Sequence, residues 1–205
     1  AKTKYNIAID SLLNELKVLS YNYSEIKPAK GTDTILVNIL NKLSSQYINL
    51  DDFQHASLYT QQAMDKATNL NYQNGMAASY YNWGYIYIHQ GNYELAMDSY
   101  LKSLKIWENT GSKRGMAKSY NSLGFVSELI GNFEDAMAYD LKSLKISEEI
   151  GYQKGIGDNY NHIGIIYCIQ GNYDQALDYL LKYLTLLRKT GNKRGIGNAC
   201  NNIGL

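Results

Sequence analysis

Glycine recurs at an interval of 40 residues in this chain, at positions 75, 115, 155 and 195. Other positions follow the same interval: a Gly-Asn-aromatic triplet begins at 91, 131 and 171, alanine lies at 96, 136 and 176, and a further glycine lies at 84, 124, 164 and 204. Agreement at so many positions is the mark of a repeat protein. We therefore expect an array of similar units, each burying its apolar surface against its neighbours.

Each unit is predicted to contain two α-helices, as residues 112–150 illustrate. Ser112 can cap the first helix. The apolar residues of that helix recur at steps of three and four, which is the spacing of one helical face: Met116, Tyr120, Leu123 and Val126. Gly131 can end this helix in the left-handed conformation, Asn132 can cap the second helix, and Gly151 can end it. Two helices of about 18 residues with short connections account for the interval.

Gly124 falls in the middle of a predicted helix, where glycine costs about 1 kcal/mol relative to alanine. Because this cost recurs in the later units, something must offset it. We expect close approach of the paired helix, with Ala136 as the small residue that faces Gly124. Gly115 is expected to allow a similar close contact between successive units.

The repeat divides the chain into an N-terminal segment and an array. Residues 1–34 are predicted to be a degenerate helix followed by a connector at about 21–34, which holds the only proline, Pro28, and Gly31. Residues 35–205 are predicted to form the array, with units at about 35–74, 75–114, 115–154 and 155–194. Residues 195–205 match the first helix of another unit, so we expect the natural protein to continue.

Composition excludes several classes of protein. Lys and Arg number 20 against 19 Asp and Glu, which argues against a broad basic surface for nucleic acid or an anionic membrane. No apolar run is long enough to span a bilayer, and the N-terminus lacks a signal-peptide pattern. Cys168 and Cys200 lie out of step with the repeat, so we expect thiols with packing roles and no disulfide.

The sequence offers no constellation that indicates catalysis. The three histidines share no metal-ligand spacing: His55, His89 and His162. His162 occupies a position that is polar in the other units, and we expect a polar surface residue there, with a ligand contact as the alternative. We therefore expect that the segment is not an enzyme and has no catalytic residue, metal or cofactor.

The unit resembles the tetratricopeptide repeat (TPR), in which a large residue, Leu-Gly and Tyr in the first helix precede alanine and an aromatic residue in the second. The three later units carry these positions at Tyr80, Trp83, Gly84, Tyr87, Ala96 and Tyr100; at Tyr120, Leu123, Gly124, Ser127, Ala136 and Asp140; and at Tyr160, Ile163, Gly164, Tyr167, Ala176 and Leu180. Ser127, Asp140 and Leu180 depart from the pattern, and the usual proline is absent. The resemblance implies an all-α, right-handed superhelical solenoid of antiparallel helix pairs.

The resemblance also implies a concave face, lined by the first helices, that can bind a peptide. The residues expected there are Asn121, Asn161, Asn201, Tyr81, Asn82, His162, Asn202, Tyr85, Phe125, Lys118, Asp158 and Glu128. A carboxamide both donates and accepts, so a row of asparagines could hold a peptide backbone while Tyr85 and Phe125 accept apolar side chains. Alternatively, the asparagines bond to one another or to adjacent backbone as a structural ladder. Lys118 is the only cation expected on this face, which disfavours the C-terminal carboxylates that chaperone-binding members recognise.

These expectations favour a protein- or peptide-interaction scaffold. The unit is similar to repeats of kinesin-light-chain-like proteins and to the N-terminal TPR regions of bacterial sensor histidine kinases and cyclases. This similarity implies a ligand-sensing or partner-docking region of a larger bacterial signalling protein, on the periplasmic side of a membrane or, alternatively, in the cytoplasm. The alternative function is homo-oligomerisation, with a homodimer formed through exposed end units. No nucleic-acid partner and no membrane insertion of this segment are expected.

Overall fold

The computed structural model describes residues 2–25 and 31–192, together with 195–197, 199 and 202. Every element in these ranges is an α-helix, which confirms the predicted all-α class. The helices are α1 (Lys2–Glu25), α2 (Thr32–Ile48), α3 (Phe53–Asn69), α4 (Gln73–His89), α5 (Tyr93–Thr110), α6 (Lys113–Leu129), α7 (Phe133–Glu149), α8 (Gln153–Ile169) and α9 (Tyr173–Thr190). None of these helices combines the length and apolarity needed to cross a bilayer.

The chain divides into two compact units, residues 1–110 and 111–205. In the first, α2 pairs with α3 and α4 with α5, while α3 packs on α4 and α2 also contacts α4. In the second, α6 pairs with α7 and α8 with α9, and α6 and α7 both pack on α8. Each unit is therefore a stack of antiparallel helix pairs. The predicted repeat boundaries and the connector stay a prediction, and Pro28 lies outside the described residues.

The predicted helix ends are confirmed in detail. The Ser112 side chain accepts a hydrogen bond from the Gly115 amide at 3.4 Å, and the Asn132 side chain accepts one from the Asp135 amide at 3.2 Å. These bonds satisfy amides of the first helical turn, which have no partner within the helix. Gly131 has a φ of 79°, a left-handed conformation that glycine adopts without strain. Local sequence therefore fixes where the helices of each pair begin and end.

Mid-helix glycines allow the two helices of each pair to approach closely. A Cβ atom on Gly124 would lie 2.6 Å from an Asp140 carboxylate oxygen. Asp140 lies one helical turn beyond Ala136 on the same face of α7. A contact of Gly124 with Ala136 stays a prediction, whereas a Cβ on the equivalent Gly164 would lie 3.4 Å from the Ala176 carbonyl oxygen. Gly84 packs against the Tyr100 ring in the same way.

Glycines near the start of the first helices allow contact with the preceding pair. A Cβ on Gly75 would lie 2.6 Å from Val37 of α2, and one on Gly155 would lie 2.6 Å from the Ser147 hydroxyl of α7. Gly115, for which this role was predicted, is buried at the equivalent position. Within each unit the glycine series thus brings first helices close to the helices that precede them.

Candidate functional site

The predicted site residues lie on the first helix of a pair, and we call the surface formed by α2 and α4 in the first unit, and by α6 and α8 in the second, the first-helix face. Helix α4 carries Tyr81, Asn82 and Tyr85; α6 carries Lys118, Asn121, Phe125 and Glu128; α8 carries Asp158, Asn161 and His162. Asn202 follows in the last described stretch, whereas Asn201 lies outside the described residues. The two parts of this face are considered separately.

In the first unit, Asn82 is part of a buried hydrogen-bonded ladder. Its amide donates to the backbone carbonyl of Asn41 at 3.0 Å, and only 6% of Asn82 is exposed. The Asn41 amide donates to the Gly75 carbonyl at 3.1 Å, and the Ser79 hydroxyl donates to the Asn41 side chain at 3.0 Å. These bonds join α2 to α4, as the ladder alternative predicts for this position.

The aromatic residues of α4 lie nearer the surface. Tyr85 is 38% exposed, and its ring centre is 5.1 Å from that of His89. Tyr81 is half-buried, and its ring lies 5.4 Å from that of the buried Tyr100. The first unit therefore offers aromatic surface to a ligand, while its asparagines hold the helices together.

In the second unit, Asn121 links α6 to α8. Its amide donates to the Asn159 side chain at 2.9 Å and lies 3.4 Å from the His162 Nδ1 atom. The Asn159 amide donates to the Ser143 hydroxyl of α7 at 2.9 Å, which extends the ladder to a third helix. The Phe125 ring stacks on His162, with ring centres 5.8 Å apart. Asn121 is half-buried, so it belongs to the ladder and also reaches the surface.

Asn161 lies at the outer edge of this ladder. Its side-chain oxygen accepts a hydrogen bond from the Asn202 amide at 2.8 Å, and Asn202 is exposed. Asn161 is half-buried, and its own amide donates to no partner within the described ranges. Its carboxamide can therefore donate to a ligand without loss of a hydrogen bond that the structure shows.

Sequence reasoning missed Asp140 of α7 as a site residue. Asp140 is completely buried, and neither carboxylate oxygen has a hydrogen-bond partner among the described residues. One oxygen lies 3.5 Å from His162 Nδ1, an ion-pair distance that is too long for a good hydrogen bond. The His162 side chain is 18% exposed, so the residue is half-buried, and its role as a surface residue or a ligand contact stays a prediction. The departure of Asp140 from the aromatic TPR pattern was the signal in the sequence.

Carboxylates surround His162 and control its charge. Burial alone would lower the pKa of His162, but the contact with Asp140 and the negative charges of Asp140, Glu128 and Asp158 outweigh this effect and raise it. Burial raises the pKa values of all three carboxyl groups, and His162 offsets this only in part. The second unit thus has several ionisable side chains close together where the first unit has a neutral, hydrogen-bonded ladder.

Lys118 has more basic neighbours than predicted. Burial lowers the pKa of Lys118, and the positive charges of Arg114 and Lys154 lower it further. Lys118 therefore has two cations close to it, and its place as the only cation on the first-helix face stays a prediction. The cause is the pairing of helices: Arg114 lies one turn before Lys118 on α6, and α8 packs beside α6 and brings Lys154 near.

Other chemistry is limited in the part of the chain that the structure describes. It holds no group of three or more His, Cys, Asp or Glu side chains that could bind a metal ion. Cys168 is a half-buried free thiol, and Cys200 lies outside the described residues. Asp158 also borders a cavity of about 330 Å³ between α8 and α9, beside Gly157 and Tyr183.

Comparison with known proteins identifies the family. Tetratricopeptide repeat models match residues 75–149 and 160–190, which together exceed half of the chain. The chain belongs to the tetratricopeptide repeat family. This TPR chain is a protein-interaction scaffold, as the family generally is, and TPR proteins are generally not enzymes. No characterised protein sequence matches it significantly.

Solved structures share the fold at low sequence identity. BtubC (BKLC) from P. vanneervenii has a TM-score of 0.71 at 17% identity, with 98% of this chain and 84% of BtubC covered. A signal transduction ATPase with numerous domains and a TPR sensor, from Pyrococcus horikoshii, has a TM-score of 0.75 at 18% identity, with 98% and 31% covered. A Rap protein complexed with competence and sporulation factor has a TM-score of 0.77 at 15% identity, with 96% and 54% covered. The chain therefore spans about a third and about half of the last two proteins. At these identities the likeness concerns the fold alone.

Proposed function

We propose that this TPR chain binds an extended peptide along its first-helix face and serves as the partner-docking or ligand-sensing region of a larger bacterial signalling protein. The observation that carries the proposal is the pair of half-buried carboxamides on adjacent helices, Asn121 of α6 and Asn161 of α8, next to the Phe125 ring. They offer polar contacts to a peptide backbone and an apolar contact to a side chain.

The spacing of these groups suits an extended chain. Packed helices lie about 10 Å apart, and an extended peptide advances about 3.3 Å per residue. Asn121 and Asn161 can therefore contact peptide groups about three residues apart. Because a carboxamide contacts backbone, this part of the site is insensitive to peptide sequence, and Phe125 supplies the side-chain preference.

The relatives support the signalling context by fold. The Pyrococcus ATPase carries its TPR region as a sensor, and the Rap protein holds competence and sporulation factor in its complex. These proteins show that arrays of this fold serve in such settings. What these proteins share with this chain is the fold.

The proposal is tested with Asn161→Ala, because the Asn161 amide has no structural bond in the described ranges. Peptides selected from a display library on the native chain are titrated against native and variant protein. We expect the variant to bind about fivefold more weakly, which corresponds to one hydrogen bond of about 1 kcal/mol. Gln175→Ala is the matched control, since it removes an exposed carboxamide from α9. Failure to select any peptide, or equal binding by the Asn161 variant, would count against the peptide site.

Self-association is the second candidate, and a repeated apolar position favours it. Leu141 of α7 and Leu181 of α9 are 45% and 44% exposed at equivalent places, 40 residues apart. Two apolar side chains of this size on one unit could pack against another copy. Light scattering of native chain and of Leu141→Glu, Leu181→Glu at several concentrations tests this. A native mass that stays monomeric at all concentrations excludes the homodimer.

A further inference from the structure

Asp140 lies in an environment that ordinarily excludes a carboxylate. It is completely buried between α6, α7 and α8, with Gly124 on one side and His162 on another. Neither oxygen has a hydrogen-bond partner in the described ranges. Burying a charge without compensation is very unfavourable, and His162, which lies within ion-pair distance, and the Asn121 side chain are the groups that favour an ionised Asp140.

The equivalent residue in the first unit shows that the fold does not require this arrangement. Asp140 and Gly124 correspond, 80 residues earlier, to Thr60 and Ser44. The Thr60 and Ser44 hydroxyls lie 2.6 Å apart, and Thr60 also donates to the Ala56 carbonyl at 2.7 Å. That position is neutral and its hydrogen bonds are satisfied.

The two nitrogens of His162 have different surroundings. Nδ1 faces Asp140 at 3.5 Å and the Asn121 amide at 3.4 Å, and the ring stacks on Phe125. In an imidazole ring, Nε2 projects roughly opposite to Nδ1. The hydrogen-bond and ion-pair contacts of the ring within the described residues are at Nδ1, and 18% of the side chain is exposed. Nε2 is thus the ring nitrogen left to bond a ligand.

We propose that Asp140 is a positioning residue that holds His162 as an imidazolium, so that its Nε2–H donates a charged hydrogen bond to a backbone carbonyl of the bound peptide. This inference rests on the proposed peptide-binding function and adds a residue and a mode of regulation to that site. The proposal requires that the neutral ring keep its proton on Nδ1 toward Asp140, so that deprotonation turns Nε2 from a donor into an acceptor. A carbonyl of the peptide then loses its partner.

Carboxylates on three helices favour the protonated form of His162. Glu128 of α6 and Asp140 of α7 favour the imidazolium, as does Asp158 on α8 itself, and Lys154 is a cation that acts on Asp158. On α9, Tyr183 lies near enough to Asp158 for the carboxylate to raise the pKa of the phenol, in addition to the larger effect of burial. The carboxylates prevail, so the pKa of His162 is raised. Peptide binding is therefore strongest below that pKa and weakens as the pH rises through it.

The pair itself is tested by NMR titration of the three histidine Cε1 protons in the full chain from about pH 5.5 to about pH 9. His162→Asn, which places the residue of the first unit at this position, assigns the signal. We expect His162 to titrate above the ordinary histidine range and Asp140→Asn to move its pKa downward. A His162 pKa at or below the ordinary value of about 6.5, or one that Asp140→Asn leaves unchanged, overturns the proposal. Asp140→Thr, which copies Thr60 of the first unit, repeats the comparison should the asparagine variant fold poorly.

The role in binding is tested with a peptide selected on the native protein at mildly acidic pH. We expect native affinity to fall about tenfold or more as the pH rises through the His162 pKa, because a hydrogen bond from a charged group is lost. His162→Asn should give a flat profile, and Asp140→Asn should move the profile to lower pH. Peptide binding that is flat in the native chain overturns this inference and leaves the proposed function standing. Failure to select any peptide overturns both.

Discussion

The α2–α3–α4 part of the first unit and the α6–α7–α8 part of the second use one backbone plan for different chemistry. Both place an asparagine on the earlier first helix, Asn41 or Asn121, that contacts the later one. Beneath it, the first unit has hydroxyls bonded to each other, whereas the second has Asp140 and His162. The repeat thus maintains the contacts that stack helices and leaves the polarity of the site free to vary.

The largest difference is expected at the residue beneath the mid-helix glycine. Tyr100 fills this position under Gly84 and is fully buried, so Tyr100→Ala should lower the free energy of unfolding by about 4 kcal/mol. Asp140 fills it under Gly124, and Asp140→Ala should cost less, about 2 kcal/mol, because the His162 side chain that loses its partner can also lose its charge. Urea denaturation followed by circular dichroism measures both. Equal losses would show that Asp140 contributes packing as Tyr100 does.

A second set of substitutions should change the free energy of unfolding in opposite directions in the two units. Asp140→Leu combined with His162→Asn replaces a buried ion pair by residues found at equivalent positions, and should raise the free energy of unfolding by about 2 kcal/mol. Thr60→Val leaves the Ser44 hydroxyl without its partner and should lower it by about 1 kcal/mol. Thermal and urea unfolding at neutral pH are the measurements. A loss of stability in the double variant would contradict the view that the pair is retained for binding.

Stability should also depend on pH in the second unit and not in its neutral counterpart. The folded-state pKa values of His162, Asp140, Glu128 and Asp158 are all raised. A raised pKa gives stability that is present below the unfolded-state pKa and is lost as pH rises through the folded value. Mild acidification from alkaline pH should therefore slow hydrogen exchange in α7, after correction for intrinsic exchange, more than in α3. The variant with Asp140→Leu and His162→Asn should lose much of this difference.

The smallest expected effect concerns two exposed ion pairs, one in each unit, which should contribute equally to stability. Asp98–Lys102 and Asp178–Lys182 are exposed pairs at equivalent positions in the two units, each with an N–O distance of 2.6 Å. Exposed pairs of this kind contribute about 0.4 kcal/mol, so Lys102→Ala and Lys182→Ala should have small and similar effects. Chemical denaturation of both variants checks this. A clear difference between them would mean that the two units differ by more than their buried residues.

Much of the fold follows from local sequence. Helix ends were predictable because Ser112, Asn132 and Gly131 act through bonds and dihedral angles within a few residues of themselves. The 40-residue interval predicted which helices pair, because it leaves only short connections between consecutive helices. The contact of Gly124 with Asp140 was not predictable, because it depends on the turn at which two helices approach each other most closely. A pattern of spacing along the chain does not determine that turn.

The contacts within the candidate site were harder to predict from the sequence than the helix ends. The sequence predicts a surface position for His162, because the other units have polar residues at the equivalent position. In the structure, Asn82 and Ser122 at that position are buried. Asp140 was recognised as a departure from the aromatic pattern, but the sequence does not show that His162 on the next first helix would come within ion-pair distance of it. Charge pairing between helices depends on side-chain direction, which the repeat leaves unspecified.

The most direct test of the difference between the two units is a pair of double-mutant cycles. One cycle combines Asp140→Asn with His162→Asn, and the other combines Thr60→Val with Asn82→Ala, with the free energy of unfolding measured at mildly acidic pH. We expect a coupling energy of about 1 kcal/mol or more between Asp140 and His162, and one within about 0.3 kcal/mol of zero between Thr60 and Asn82. Equal coupling in the two cycles, or none between Asp140 and His162, would contradict a charged pair confined to the second unit.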